Sequence, residues 1–265
     1  MEDNPRKISV LVAQFPITLD IRQNLESILS IISRAEAGDL IVLPEGALSG
    51  YAEDSSFVYD INTALLAESL RSLQAEVIQR KLHLIFGACL QENHNWYNTG
   101  IYYGWQGETF VYRKINLATS EREHFTAGSQ LPILEVFYQG GSVKLGIQLC
   151  REIRFPEQWR YLARAGAEIF VHLNNAVGDE TQVPVWRSHL ISRAAENQRF
   201  VLGANNAQPE QKCPSMIIAP SGQVIWETLS SKLDMMHCTL DIGEVSDLYL
   251  NQSRDDVVGR QRSKP

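Results

Sequence analysis

Cysteine is scarce in this sequence, and the few cysteines lie far apart. The chain has 4 cysteines among 265 residues, at Cys89, Cys150, Cys213 and Cys238, and no C-x-x-C pair. That spacing argues against a disulfide scaffold, a zinc knuckle and a redox pair. We therefore expect reduced thiols and a cytoplasmic location. We expect neither a metal nor another cofactor, because no cluster of His, Cys and Asp has the spacing of metal ligands.

Long apolar runs and excess positive charge are also missing. No run approaches the roughly 20 apolar residues of a membrane-spanning helix, and residues 1–7 lack the apolar stretch of a signal peptide. The net charge of −7 argues against a nucleic-acid-binding protein, whose surface is normally basic. With 44% hydrophobic and 21% charged residues, the composition is that of a soluble globular protein. We expect neither a membrane nor a nucleic acid as partner.

Short β-branched runs alternate with longer segments of helical period along the chain. This alternation is typical of an α/β fold in which helices cover a sheet core. No Pro/Ser-rich linker interrupts the chain, so residues 1–265 are predicted to form one domain with a polar tail at 251–265. Strands are predicted at residues 8–14, 40–43, 83–88, 99–103, 110–113, 143–149, 168–173, 200–204, 216–219 and 224–226. Helices are predicted at residues 24–35, 63–81, 156–165 and 185–198.

Polar side chains stand at the ends of three predicted strands. Lys114 and Cys150 directly follow such strands, and Glu45 follows another after one intervening residue. In open α/β proteins, functional residues gather at the carboxyl ends of strands. The three side chains are therefore candidates for one shared site.

These residue types together carry a coherent chemistry. A thiol reacts as its thiolate, and a cation such as Lys114 lowers the thiol pKa and stabilises an oxyanion. Glu45 is placed to accept the thiol proton and later to activate water. The backbone N–H of Arg151, at a turn into a helix, offers a second oxyanion donor. The residues alone leave an ordinary alternative open, in which Cys150 is inert, Lys114 is a surface charge and Glu45 caps a turn.

Three sequence motifs surround these residues. They are LIVLPEGALSGY at 40–51, YRKINL at 112–117 and GIQLCREIRFPE at 146–157. In type, order and separation they resemble the motifs of the nitrilase superfamily of carbon–nitrogen hydrolases, over about residues 8–241. The resemblance implies a four-layer αββα sandwich with two central mixed sheets. It also implies a homodimer or a larger homo-oligomer.

When the functional residues of the family are matched to positions in this sequence, the resemblance implies a role for one residue in each motif. Glu45 is then the general base, Lys114 the transition-state stabiliser and Cys150 the nucleophile. A second glutamate is implied within the segment EREHFTAG, between the lysine and cysteine motifs. We favour Glu121, for substrate positioning or shared proton transfer, and leave Glu123 open. The alternative is that both glutamates are solvent-exposed loop residues with no role in the reaction.

Departures from the family pattern concern the substrate pocket. Arg151 replaces a frequent Tyr or Trp beside the cysteine, and Asn116 replaces a common His. HLNNAVG at 172–178 replaces a proline-containing strand end. The candidate residues for binding the substrate or its oxyanion are Tyr51, Arg151 and Asn175.

Other residues near the motifs have less defined roles. Arg151 either suits a carboxylate-bearing substrate or points into solvent. His172 is the one histidine at a predicted strand end that is a candidate for the pocket. Arg154 is expected to build the turn around the nucleophile, and the segment 96–103 is expected to be scaffold. Glu152 stands where many relatives have Asp.

The predicted function is hydrolysis of a non-peptide C–N bond in a small linear amide. The reaction would pass through a thioester on Cys150 and release ammonia or an amine. Hydrolysis of a ureide, as in an N-carbamoyl amine or amino acid, and hydrolysis of a nitrile are the alternatives. An alternative of another class is a non-catalytic binding or regulatory protein that keeps the fold. The joint presence of Glu45, Lys114 and Cys150 argues against it.

Overall fold

The structure is a computed structural model that describes residues 6–254, 256 and 257. Its strands are β1 (Lys7–Gln14), β2 (Leu40–Val42), β3 (His83–Glu92), β4 (Asn95–Tyr103), β5 (Thr109–Arg113), β6 (Leu134–Tyr138), β7 (Gly141–Leu149), β8 (Ile169–Leu173), β9 (Phe200–Ala204), β10 (Ser215–Ile218), β11 (Val224–Thr228) and β12 (Asp234–Asp241). Its α-helices are α1 (Ile21–Ile32), α2 (Thr63–Arg80), α3 (Pro156–Arg164), α4 (Gln182–Asn197) and α5 (Leu248–Gln252). Short 3-10 turns lie at Ser55–Asp60, Thr119–Glu121, Cys150–Arg154 and Ile242–Glu244.

The strands form two six-stranded sheets. The first sheet has the order β12-β1-β2-β3-β4-β5, and the second has the order β11-β10-β9-β8-β7-β6. Both sheets are mixed. β1, β2 and β3 run parallel in the first sheet, as do β7, β8 and β9 in the second. The remaining neighbours pair antiparallel.

The alternation of side chains along β1 shows how one strand serves two hydrophobic layers. Val10 and Val12 belong to the cluster between the sheets, together with Val171 of the second sheet. Leu11 points to the opposite face, into the cluster built with α1 and α2. Helices α3 and α4 cover the outer face of the second sheet in the same way. The predicted αββα sandwich is therefore confirmed.

Capping side chains decide where the helices begin. The Asp20 Oδ1 accepts hydrogen bonds from the backbone N–H of Arg22 at 2.8 Å and of Gln23 at 3.4 Å. For this reason α1 starts at Ile21, earlier than its apolar spacing predicts. Asn62 caps α2 through a bond of 3.0 Å from the Leu65 N–H. Within the described part of the chain, none of the helices has the length and apolarity needed to cross a membrane.

Two strands, β6 and β12, are absent from the sequence prediction. Both lie at sheet edges, and many of their side chains are partly or fully exposed. An edge strand of this kind carries little apolar signal. β3 and β4 are longer than predicted because they continue to a tight turn at Asn93 and His94, where φ is +48° and +68°. The predicted tail at 251–265 begins inside α5, and residues 255 and 258–265 lie outside the described residues.

Strand β3 supports the loop that carries Glu45. The Gly87 N–H donates to the Pro44 carbonyl at 2.9 Å, and the Leu48 N–H donates to the Gly87 carbonyl at 3.2 Å. A Cβ added to Gly87 would lie 2.5 Å from the Glu45 Cα and 2.4 Å from the Gly46 nitrogen. Only glycine lets the two backbones approach so closely.

We expect Gly87→Ala to displace the Glu45 loop and to lower the free energy of unfolding by about 1–3 kcal/mol, as overpacking does. Denaturant titration measures this loss. Gly203→Ala in β9 is the matched control, because its added Cβ would meet only ordinary contacts at 3.5 Å or more. An equal loss in the two variants would contradict the close approach at Gly87.

Candidate active site

Glu45 lies in the loop after β2 and is completely buried. Its backbone N–H donates to the carbonyl oxygen of Asn174 at 3.3 Å. Asn174 follows β8, which belongs to the second sheet. The turn depends on Gly46, whose φ is +66°. Glu45 therefore stands where loops from the two sheets meet.

Lys114 follows β5 and is also buried. Its Nζ donates to the Oε1 atoms of Glu45 and Glu121, each at 3.0 Å. A buried ammonium is stable only when it is paired with charge and hydrogen-bonded. These two carboxylates therefore fix the position of the lysine.

Asn98 of β4 connects the two glutamates. Its Nδ2 donates to the Oε1 atoms of Glu45 and Glu121, each at 2.7 Å. Its carbonyl accepts from the Lys114 N–H at 2.9 Å. The sequence prediction treats the segment 96–103 as scaffold and misses this contact. The predicted strand begins only at residue 99, whereas β4 begins at Asn95, so no sequence pattern singles out Asn98.

Glu121, and not Glu123, joins the group around Lys114. Glu121 is completely buried. Its Oε1 accepts from the Tyr51 hydroxyl at 2.7 Å, and its Oε2 accepts from the Ala118 N–H at 2.5 Å. Glu123 is exposed. The candidate Tyr51 thus holds the second glutamate through its hydroxyl.

Cys150 stands at a sharp turn at the end of β7. Its φ is +39°, a conformation that costs a non-glycine residue about 1–3 kcal/mol. Two buried side chains hold the turn. The His172 Nε2 lies 3.0 Å from the Cys150 carbonyl oxygen. The Glu152 Oε2 accepts from the Leu149 N–H at 2.8 Å.

Glu152 ties the cysteine turn to the lysine loop. Its Oε1 accepts from the Tyr112 hydroxyl at 2.8 Å and from the N–H groups of Ile115 at 2.9 Å and Asn116 at 3.1 Å. Burial raises the pKa of Glu152, and these donors only partly reverse the effect. Glu152, noted in the sequence only as a replacement for Asp, therefore connects the lysine motif with the cysteine motif.

A cavity of about 850 Å³ adjoins the group, and Cys150, Lys114 and Tyr51 all line it. Val177 and Trp186 contribute apolar surface to its wall. Such a volume fits a small molecule. Within residues 6–254, 256 and 257, no three His, Cys, Asp or Glu side chains are arranged to hold a metal ion.

Arg151 and Arg154 also line the cavity, and both are exposed. The Arg154 guanidinium lies over the ring of Trp186, 5.1 Å from its centroid. Its Nη1 is 3.3 Å from the His189 Nε2. Neither arginine has a carboxylate partner within the described residues. Arg154 therefore contributes to the cavity wall in addition to its expected place in the turn around Cys150.

Asn175 lines the cavity with its amide held in one orientation. The Ile17 N–H donates to the Asn206 Oδ1 at 2.9 Å, so Asn206 turns its Nδ2 to the Asn175 Oδ1 at 3.2 Å. The Gln211 Nε2 donates to the same oxygen at 2.8 Å. The backbone N–H of Asn175 lowers the pKa of the Cys150 thiol. The structure thus places Asn175 beside the cysteine.

Comparison with known proteins decides the family. The model of the carbon-nitrogen hydrolase family matches residues 9–248. The chain belongs to the carbon-nitrogen hydrolase family. This confirms the resemblance seen in the three motifs.

Relatives of this hydrolase family member cover nearly its whole length. An (R)-stereoselective amidase of Pseudomonas sp is 28% identical over 93% of this chain and 91% of its own length. A probable nitrilase of Schizosaccharomyces pombe is 28% identical over 91% of this chain and 90% of its own. A solved amidase from Nesterenkonia sp. has the same fold, with a TM-score of 0.80, 23% identity and 96% of each chain covered. In a variant of that amidase, the acetamide moiety of fluoroacetamide is covalently added at the active-site cysteine.

The two carboxylates around the Lys114 ammonium differ in proton affinity. Burial lowers the pKa of Lys114, but Glu45 and Glu121 raise it by more, so the lysine stays charged. Burial raises the pKa of Glu45, and the lysine only partly offsets this. Burial also acts on Glu121, but Lys114 and the Ala118 N–H reverse its effect and lower the pKa. Of the two, Glu45 is the carboxyl that accepts a proton more readily.

Burial raises the pKa of the Cys150 thiol to about 12, with a further contribution from Glu45. Lys114 lowers this pKa, as the sequence predicts, but by less than burial raises it. The resting side chain at neutral pH is therefore a thiol. Its proton has to leave as the sulfur attacks.

We expect iodoacetamide at neutral pH to label Cys150 first, because it lines the cavity whereas Cys89 and Cys213 are buried. A pKa near 12 means that the thiolate fraction rises about tenfold per pH unit through the neutral range, and the labelling rate should rise with it. Peptide mass spectrometry measures both the site and the rate, with Cys150→Ala as the control. A rate that levels off below about pH 8 would contradict a resting Cys150 thiol. Faster labelling at Cys238 would contradict ready access to Cys150 through the cavity.

Proposed function

We propose that this chain hydrolyses the C–N bond of a small linear amide through a thioester on Cys150. One observation carries the proposal. The charged Lys114 is held between Glu45 and Glu121 beside the cavity that Cys150 also lines. We take residues 1–265 as one catalytic domain.

In the first step the Cys150 sulfur forms a bond to the amide carbon. The thiol proton passes to Glu45, whose raised pKa makes it a stronger base than an exposed glutamate. The carbonyl electron pair moves onto oxygen. The Lys114 ammonium and the Arg151 N–H stabilise the resulting oxyanion.

In the second step the tetrahedral adduct collapses and the C–N bond breaks. Glu45 returns the proton to the leaving nitrogen, which departs as ammonia from a primary amide or as an amine from a substituted one. Water then attacks the thioester while Glu45 accepts one of its protons. The C–S bond breaks, the sulfur regains its proton, and the carboxylic acid leaves.

Glu121 serves in this scheme as the fixed negative charge that holds Lys114. Its lowered pKa keeps it ionised. Tyr51 and Asn98 donate to its Oε1, so it does not need a proton of its own. Asn175, whose backbone N–H lowers the pKa of the Cys150 thiol, supports the thiolate as it forms.

The two arginines at the cavity favour an amide that carries an anionic group at its far end. Arg151 and Arg154 lack a carboxylate partner within the described residues, and a guanidinium pairs well with a carboxylate. Ureides and nitriles remain the alternative substrates. We further propose a homodimer and a cytoplasmic location. The free thiols and the exposed Tyr161, Leu248 and Tyr249 on α3 and α5 support these two assignments.

The reaction is tested by Cys150→Ala with a panel of amides, ureides and nitriles. We expect the variant to lose about 10³-fold or more in ammonia release, because Cys150 is the one thiol among the described residues that line the cavity. Intact-protein mass spectrometry of the wild type during turnover should show the acyl adduct on Cys150. Undiminished hydrolysis by Cys150→Ala would overturn the mechanism. If the wild type hydrolyses none of the amides, ureides or nitriles, the binding or regulatory alternative is favoured.

The anionic end is tested with two amides of equal length, a half-amide of a dicarboxylic acid and its neutral counterpart. Arg154→Gln should lower kcat/KM for the half-amide by about 10- to 100-fold, the value of a charge-assisted hydrogen bond, and leave the neutral amide nearly unchanged. Arg151→Gln shows whether the second arginine shares this role. A wild type that prefers the neutral amide would contradict the assignment.

A further inference from the structure

His172 has a defined hydrogen-bond partner on each ring nitrogen. The residue lies in β8 and is completely buried. Its Nε2 is 3.0 Å from the carbonyl oxygen of Cys150. Its Nδ1 is 2.8 Å from the Nδ2 of Asn174. The ring also packs edge-on against Trp159, with centroids 5.5 Å apart and planes at 66°.

These partners fix the protonation of the ring. A carbonyl oxygen only accepts, so Nε2 must carry the hydrogen. Burial lowers the pKa of His172 to about 3, so the ring is neutral and Nδ1 has a free lone pair. That lone pair accepts from the Asn174 side-chain amide, which sets the orientation of Asn174.

The backbone of Asn174 continues the connection to Glu45. The Asn174 carbonyl accepts from the Glu45 N–H at 3.3 Å, and the Asn174 N–H donates to the Ala204 carbonyl at 2.8 Å. A run of hydrogen bonds therefore joins the backbone of Cys150 to the backbone of Glu45 through His172 and Asn174. It crosses from the second sheet to the first.

We propose that His172 and Asn174 are positioning residues that hold the Cys150 turn at a set distance from Glu45. The inference rests on the proposed function for the roles of those two residues. Cys150 has a φ of +39°, so its turn relaxes unless something restrains it. The His172 Nε2–H restrains it at the carbonyl of the strained residue itself. Asn174 prevents the imidazole from turning away.

Packing alone does not require this arrangement. A buried imidazole with two directed polar contacts is demanding to accommodate, whereas an apolar ring would fill the same space beside Trp159. The two contacts lead to opposite sides of the site, to the nucleophile and to the base. The polar pair therefore acts on geometry as well as on stability.

The first test compares His172→Phe with His172→Gln. Phe keeps a ring beside Trp159 but cannot hydrogen-bond, and we expect kcat to fall about 100-fold with KM within about threefold, as for a small misplacement of a catalytic group. Gln can donate to the Cys150 carbonyl and accept from Asn174, so it should recover most of kcat. Loss of kcat in both variants alike, or in neither, would overturn the positioning role.

His83→Phe is the matched control. His83 is likewise buried and bonds the Tyr102 hydroxyl through Nδ1 at 2.9 Å, away from the cavity. We expect it to lower the melting temperature without lowering kcat. Should His172→Phe fail to fold, Asn174→Leu tests the same chain, with kcat expected to fall about tenfold. An unchanged kcat in Asn174→Leu would count against the proposal.

A second measurement needs no activity. In ¹⁵N-histidine NMR spectra of the wild type at neutral pH, one ring should appear as the neutral Nε2–H tautomer, and its signals should disappear in His172→Gln. If the wild type hydrolyses none of the substrates but shows this tautomer, the proposed function fails and the hydrogen-bond chain stands. A His172 ring protonated at Nδ1 would overturn the chain itself.

Discussion

The buried ammonium of Lys114, 1% exposed, is the charge on which the rest of the site depends. Moving an unpaired ammonium out of water costs at least several kcal/mol even after relaxation. The lysine can therefore be buried only together with its carboxylate partners. Glu45 comes from the loop after β2, and Glu121 from a 3-10 turn after β5. One electrostatic requirement thus couples two loops that are distant in sequence.

The second sheet has to bring Cys150 to this charged group. The sheets approach closely at Gly100 of β4, where an added Cβ would lie 2.9 Å from Ile147 and 3.3 Å from Leu173. Those residues belong to β7 and β8, the strands that lead to Cys150 and Asn174. Hydrophobic packing between the sheets therefore sets the approximate distance between nucleophile and base. Directed hydrogen bonds near the strand ends then fix the remaining geometry.

Local pattern explains which parts of this arrangement can be read from the sequence. A charged side chain directly after an apolar strand is visible in the sequence, as at Lys114, and motif spacing selects Glu121. Asn98, Glu152 and His172 are different. Their decisive contacts join residues 22 to 53 positions apart, in one case between the sheets, and no sequence pattern states which buried polar groups meet. The edge strands β6 and β12 are not predicted for a related reason. They are strands because they pair with a neighbouring strand, and not because their own residues are strongly apolar.

Glu45 and Glu121 share the same lysine, yet their surroundings assign them opposite tasks. Both oxygens of Glu121 accept hydrogen bonds, Oε1 from Tyr51, Asn98 and Lys114, and Oε2 from a backbone N–H. Glu45 accepts through Oε1, whereas its buried Oε2 has no partner within the described residues. Donors to a carboxylate stabilise its charged form, and an unpartnered oxygen leaves room for a proton. The base is therefore selected by the distribution of donors around two chemically identical side chains, and that distribution points to Glu45.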